Sequence, residues 1–246
     1  MCDVDNGPFI VDGQPVSAEA CRQIFAGGRL EDRQRRCLDW VEGGMVVDIG
    51  CYGGAFVDAL AKRHPDKQVV GIDSDPENLR IAKFLHPGRR FLRSSTYALS
   101  LADASVDCVT FQEVIEHLEG AAQAIKEINR VLRPGGLLIL STPHPYYWRD
   151  MAAFTVHELA NRFRSRRRLR AAIYFADVEW NRHIYCWTPS TLLTLLVTNG
   201  FEYVDHQFSA DAGGRVEAIF LRLFPFFGPA QIMKVIKTGE APRGII

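Results

Sequence analysis

Apolar residues recur in short blocks along the middle of the chain, near 45–50, 68–73, 90–94, 106–111 and 136–142. Val46-Val47-Asp48-Ile49 and Leu137-Leu138-Ile139-Leu140 in particular read as strands buried in a parallel sheet. Stretches with helical spacing lie between them, near 54–64, 77–85 and 119–132. Asp75-Pro76 suits a helix start, and Arg133-Pro134-Gly135-Gly136 a stop before Leu137-Leu138-Ile139-Leu140. Strand–helix alternation of this kind predicts an α/β fold around a parallel sheet. Upstream, residues 1–16 read as loop, Ser17 is placed to cap a helix from Ala18 to Phe25, and a second helix runs from Leu30 to Val41. Downstream, Thr188-Pro189-Ser190 opens an amphipathic helix that ends at Asn199-Gly200. Phe201 to Phe208 and Arg215 to Phe224 then read as an antiparallel strand pair closing the sheet. Residues 144–187 are irregular and too long for a mere connection. The expected organisation is a helical extension over 1–44, one domain over 45–224 with an insertion at about 144–187, and a tail over 225–246.

Chemistry concentrates in Val46-Val47-Asp48-Ile49-Gly50-Cys51-Tyr52-Gly53-Gly54-Ala55-Phe56, which reads as strand, tight turn and first helical turn. Glycines there let backbone pass close to a ligand, and the helix N-terminus offers unpaired N–H groups to an anionic group. Asp73 ends the second strand, 23 residues after Gly50. A carboxylate at that place can accept from both hydroxyls of a ribose. The turn is G-C-Y-G-G and lacks the G-x-G-x-x-G dinucleotide fingerprint.

Composition narrows the class. Apolar content of 47% and charged content of 24% are ordinary for a globular protein. Twenty-nine basic and 29 acidic residues cancel, so net charge argues for neither nucleic acid nor membrane. The six cysteines hold no C-x-x-C pair, against structural zinc and against a disulfide framework. No apolar run approaches the roughly 20 residues that span a bilayer, and no signal peptide is visible, so the expected compartment is the cytoplasm.

The glycine stretch resembles the D-x-G-C-G-x-G signature of class I S-adenosylmethionine (AdoMet) methyltransferases of the type 11/23-like branch, with Tyr52 at the usual middle glycine. The resemblance implies a Rossmann-like fold: a mostly parallel seven-stranded sheet, an antiparallel C-terminal strand pair, and helices on both faces. It implies AdoMet as cofactor, held by Asp48, Gly50, Cys51, Tyr52, Gly54, Asp73, Ser74, Ser95, Thr96 and Gln112. Ser95 stands where the family usually has Asp, under the adenine. Leu99, Leu101, Asp103 and Asp107 fit the family's strand-leading rhythm, with both acids in a surface turn. Arg29 or Arg33 is placed to reach the methionyl carboxylate, the alternative being a solvated helix face.

Phe111-Gln112-Glu113-Val114-Ile115-Glu116-His117-Leu118 follows the fourth strand. If it turns helically, Glu113, Glu116 and His117 share one side. Together with His183, in His183-Ile184-Tyr185-Cys186-Trp187-Thr188, they resemble the E-x-x-E-H and later histidine of ubiquinone-biosynthesis O-methyltransferases and small-RNA 2′-O-methyltransferases. Three readings stay open: a divalent cation such as Mg²⁺ on Glu113, Glu116, His117 and His183; a metal-free acid–base cluster with Glu113, His117 and His183 catalytic; or a structural role. The functional readings favour O-methylation, because a hydroxyl must lose its proton. The expected acceptor is a small-molecule, sugar or lipid-linked hydroxyl. The alternatives are RNA ribose 2′-O-methylation, which the basic run 162–170 would serve, or a catalytically silent AdoMet-binding protein. That run also suits an anionic membrane surface. His144, Tyr146, Tyr147 and Trp148 are candidates for an acceptor pocket. His64, His86, His157 and His206 read as surface or packing residues.

Overall fold

The computed structural model describes residues 7–26, 30–149, 151–152, 155, 184–211 and 214–238. Elements run β1 (Phe9–Val11), β2 (Gln14–Val16), α1 (Ala18–Ala26), α2 (Asp32–Trp40), β3 (Met45–Ile49), α3 (Ala55–Arg63), β4 (Gln68–Asp73), α4 (Pro76–Leu85), β5 (Arg90–Arg93) and β6 (Val106–Gln112). A 3-10 turn at Ile115–His117, α5 (Ala121–Val131), β7 (Leu132–Pro143), α6 (Pro189–Thr198), β8 (Phe201–Phe208), α7 (Arg215–Leu223), a 3-10 turn at Pro225–Phe227 and β9 (Ala230–Lys237) follow.

Seven strands form one sheet in the order β5-β4-β3-β6-β7-β9-β8. β3 to β7 are parallel, and β9 pairs antiparallel with both β7 and β8. The chain winds outward from β3 to β5, then returns to β6 on the other side of β3. That reversal opens a crevice at the carboxyl ends of β3, β4 and β6.

Alternation along the strands explains why both faces are covered. Val47, Ile49, Val109, Phe111, Leu138 and Leu140 point to the side packed by α5 and α6, through Ile125, Ile128, Leu192 and Leu196. Val46, Cys108, Leu137 and Ile139 point to the opposite side, under Leu38 of α2 and Val57 and Leu60 of α3. The caps read from sequence are present. Ser17 Oγ accepts the Ala20 N–H at 3.1 Å and Asp75 Oδ1 accepts the Glu77 N–H at 2.8 Å.

Several expectations are corrected. Residues 9–16 form a hairpin rather than loop; Asp12 and Gly13 both have positive φ, the conformation a two-residue turn of primed type needs. Its Phe9 and Val11 pack with Cys21 and Ile81, and Arg80 lies over the Phe9 ring at 4.1 Å. Arg215 to Phe224 is not a strand: Arg215–Leu223 is helix, burying Glu217 and Leu221 at i, i+4 spacing. The partner of β8 is instead β9, in residues assigned from sequence to the tail. Finally, the segment after Gln112 makes only one 3-10 turn, and Asp107 sits inside β6, accepting the Gly44 and Met45 N–H groups.

Candidate functional site

The turn after β3 is tied to β4: the Gly50 and Cys51 N–H groups both donate to the Ile72 carbonyl, at 2.8 and 3.0 Å. Gly50, Tyr52 and Gly54 all have φ near or above +46°. For Tyr52 that left-handed conformation costs about 1–2 kcal/mol. Its ring lies 5.5 Å from that of Phe25. The glycines are demanded by neighbouring side chains as much as by any ligand. A Cβ on Gly50 would come 2.4 Å from Val114 Cγ2, one on Gly53 2.7 Å from Phe25, and one on Gly54 2.7 Å from Phe91.

Asp73 is held in a fixed pose. Its Oδ2 accepts the Tyr52 N–H at 2.9 Å and its Oδ1 the Asp75 N–H at 3.0 Å, with Asn78 at 3.4 Å. Oδ1 thus has both lone pairs engaged, while Oδ2 keeps one for a further donor. Asp48 is 3% exposed. Thr110 Oγ1 donates to its Oδ1 at 2.6 Å, and Gln112 also bonds to it. Burial pushes the Asp48 pKa up to about 7, with Asp73 adding repulsion. No hydrogen bond to a backbone N–H of the glycine turn is recorded for Asp48 among the described residues; the turn rests on Asp73 and Ile72.

These groups line a cavity of about 610 Å³ over the carboxyl ends of β3, β4 and β6, a size ordinary for a small-molecule site. Of the expected cofactor residues, Asp48, Gly50, Cys51, Tyr52, Gly54, Asp73, Ser74, Thr96 and Gln112 face it. Ser95 does not. It is exposed and its hydroxyl accepts the Tyr97 N–H, whereas Ser94 and Thr96 on either side line the cavity. Arg33 lines it too, with Nε 2.7 Å from Glu31 and Nη1 3.9 Å from Glu113. Arg29, His157, His183 and the run 162–170 lie outside the described residues.

Glu113 and His117 reach the cavity, and Glu116 lies behind it. Glu113 has a φ of 52° and its Oε1 accepts from Ser141 Oγ at 3.0 Å. Burial raises its pKa while Arg33 opposes the rise. Glu116 is buried. Thr142 donates to its Oε2 at 3.1 Å, its Oε1 has no partner, and burial with Glu113 nearby raises its pKa to about 8. The two carboxyls and the imidazole therefore do not share one helical side. Among the described residues no group of three His, Cys, Asp or Glu stands close enough to hold a metal ion. His144 is buried away from this cavity, between the rings of Tyr146, Phe208 and Phe226.

Sequence reasoning missed Ser94, Thr110, Phe25 and Asn78. Thr110 had a signal, a polar residue between Val109 and Phe111; the structure sets it directly opposite Asp48 in the β3–β6 register. Phe25 had none, because it reaches the cavity from a helix distant in sequence, and Asn78, one turn into α4, carries no local mark that separates it from a solvated helix position.

Cationic ligand chemistry suits this cavity, since among the described residues Asp48, Asp73 and Glu113 line it with one arginine, Arg33. AdoMet brings a sulfonium, an ammonium, a ribose diol and one carboxylate. The free lone pair of Asp73 Oδ2, the unpartnered Gln112 Oε1 and the open N-terminus of α3 fit those groups.

Residues 47–140 match the family model described as a methyltransferase domain. A probable S-adenosylmethionine-dependent methyltransferase of Mycolicibacterium smegmatis is 33% identical over 46% of the chain and 49% of that protein. The ubiquinone biosynthesis O-methyltransferase of Xanthomonas oryzae is 28% identical over 73% of the chain and 74% of that protein. The chain thus spans about half the length of the first of these relatives. A crystal structure of an S-adenosylmethionine-dependent methyltransferase from Mesorhizobium loti superposes with a TM-score of 0.60 at 20% identity, covering 86% of the chain and 99% of that structure. The matched domain and the sheet order agree: residues 47–140 carry a methyltransferase domain, and the fold is the Rossmann-like one of S-adenosylmethionine-dependent methyltransferases.

Proposed function

We propose that the chain transfers the AdoMet methyl group to a hydroxyl of a small-molecule, sugar or lipid-linked acceptor. The carrying observation is the placement of Glu113 and His117 on the wall of the cavity that Asp48 and Asp73 also line. The O-methyltransferase name of the Xanthomonas relative supports the choice of oxygen. AdoMet supplies a methyl group already activated on its sulfonium, so the protein has to align the acceptor and manage one proton. Asp73 accepts from a ribose hydroxyl. Asp48, ionised beside the cofactor's positive charge, holds the methionyl end, and Arg33 offers a partner to the carboxylate. His117 takes the acceptor's hydroxyl proton, with Glu113 beside it, a step worth about 10²–10⁴-fold.

Of the four residues expected to ligate a divalent cation, Glu113 and His117 reach the cavity, Glu116 does not, and His183 lies outside the described residues, so the acid–base version is preferred. The RNA reading leans on the run 162–170, outside the described residues. The test pairs calorimetry with single-turnover transfer to a panel of catechols, sugars and lipid-linked phenols. Asp73→Ala is expected to weaken AdoMet binding about 10–100-fold. His117→Ala should leave binding intact and slow transfer at least about 10²-fold. Unchanged cofactor uptake in Asp73→Ala would overturn the reading, and activity abolished by chelator alone would restore the cation.

A further inference from the structure

Helix α7 is apolar on two sides. One side is anchored: Leu221 is buried, and buried Glu217 accepts from the Tyr147 hydroxyl at 2.7 Å with Arg149 at 3.5 Å. The other side leaves Val216, Ile219 and Leu223 at 83%, 62% and 68% exposure. They stand at i, i+3 and i+7, one continuous stripe. Phe224 and Phe226 extend the stripe, both exposed. Trp148, 5.7 Å from the Phe220 ring, walls an open groove of about 550 Å³ against Val216 and Phe220.

Charge decides what such a face meets. Arg215 and Arg222 are exposed on the same helix and Arg149 is at the groove. The helix's single acid, Glu217, is buried and engaged. Aromatic and aliphatic side chains ringed by arginines are the composition that settles at the boundary between headgroups and acyl chains. An apolar protein partner would need no such excess of positive charge. An anionic lipid surface gains from it.

We propose that the exposed stripe of α7, with Trp148, docks on an anionic lipid bilayer surface. The side chains of the stripe enter the acyl boundary, and Arg215 and Arg222 meet phosphate headgroups. This goes beyond methyl transfer and does not depend on it. The loop carrying Trp148 continues β7, whose Ser141 holds Glu113 at the cavity, so docking brings the cavity's own strand end to the lipid.

Flotation of the full chain with vesicles tests the proposal. Binding to phosphatidylcholine–phosphatidylglycerol vesicles is expected, weakening with salt and falling about tenfold on phosphatidylcholine alone. Ile219→Asp with Leu223→Asp should reduce it at least about tenfold, and Arg215→Glu with Arg222→Glu should abolish the preference for the anionic lipid. Calorimetric AdoMet binding by these variants checks that they fold. In the unaltered chain, brominated lipids should quench tryptophan emission, and Trp148→Phe should lose most of that quenching. Three results would overturn the proposal: no binding to either vesicle, binding undiminished in the aspartate variant, or a lipid-free dimer that the aspartate variant splits while vesicles stay unbound.

Discussion

Replacing Asp48 by Asn should make the protein more stable and a poorer binder of its cofactor. Asp48 is buried, and its pKa rises from 3.8 to about 7 because the charged form loses its hydration. Below pH 4 the group is protonated in both folded and unfolded chains and contributes no difference. Between pH 4 and 7 the unfolded chain ionises first, so this group erodes stability as pH rises; above 7 the loss is complete, at about 4 kcal/mol as an upper figure. Asn carries no charge and can still accept from Thr110. Gln112, whose Oε1 is unpartnered, can turn its amide to receive the new Nδ2–H. The gain should be absent at pH 4 and reach up to about 10 °C in Tm by pH 8. Cofactor binding moves the opposite way. A sulfonium or ammonium must displace the proton from Asp48 below pH 7, so wild-type affinity should fall about tenfold per pH unit there. In Asp48→Asn it should be weak and flat. Calorimetry across pH and thermal melts at both ends measure both arms. A variant that melts lower at pH 8, or binds AdoMet as wild type does, refutes the reasoning.

Gly50→Ala adds a Cβ 2.4 Å from Val114 in a left-handed turn; a loss of about 2–4 kcal/mol by denaturant titration is expected, and adding Val114→Ala should recover at least about 1 kcal/mol of it. His144→Phe removes a buried imidazole packed among aromatic rings. Burial lowers the His144 pKa to about 4, so wild type loses stability as pH falls from 6.5 toward 4; melts of the Phe variant should lack that acid slope and sit about 1–3 kcal/mol higher at pH 5. Arg33→Ala takes away the cation that restrains the Glu113 pKa. The acid limb of the transfer pH profile should move to higher pH, and an unmoved limb would separate Glu113 from the proton step.

The central sheet was legible because buried parallel strands leave short apolar runs such as Leu137–Leu140, bounded by Gly and Pro and alternating with helical spacing. Asp73 and the glycine turn were legible for the same local reason, being a few contiguous residues at strand ends. What failed was non-local or ambiguous in period. Arg215–Leu223 is apolar enough to pass for a strand, and its helical identity rests on Glu217 and Leu221 facing the body. Asp12-Gly13 was a hairpin signal overlooked beside Pro8 and Pro15. In the E-x-x-E-H run the spacing suggested a helix, yet the positive φ at Glu113 bends the chain before one can form. Ser94 in place of Ser95 is a one-residue matter of parity, which turns a side chain to the other face.

The last strand among the described residues, β9, occupies an inner place in the sheet, with β7 on one flank and β8 on the other. During synthesis β8 therefore emerges with no neighbour to join, and β7 presents an open, sticky margin until β9 arrives. Half of the sheet can close early around β3, while the other half waits for a single late piece. Pulse proteolysis of ribosome-held chains should find β8 cleavable until Lys237 has cleared the exit tunnel. Any chain shortened before Ala230 would be left with an orphan strand and a surface prone to self-pairing.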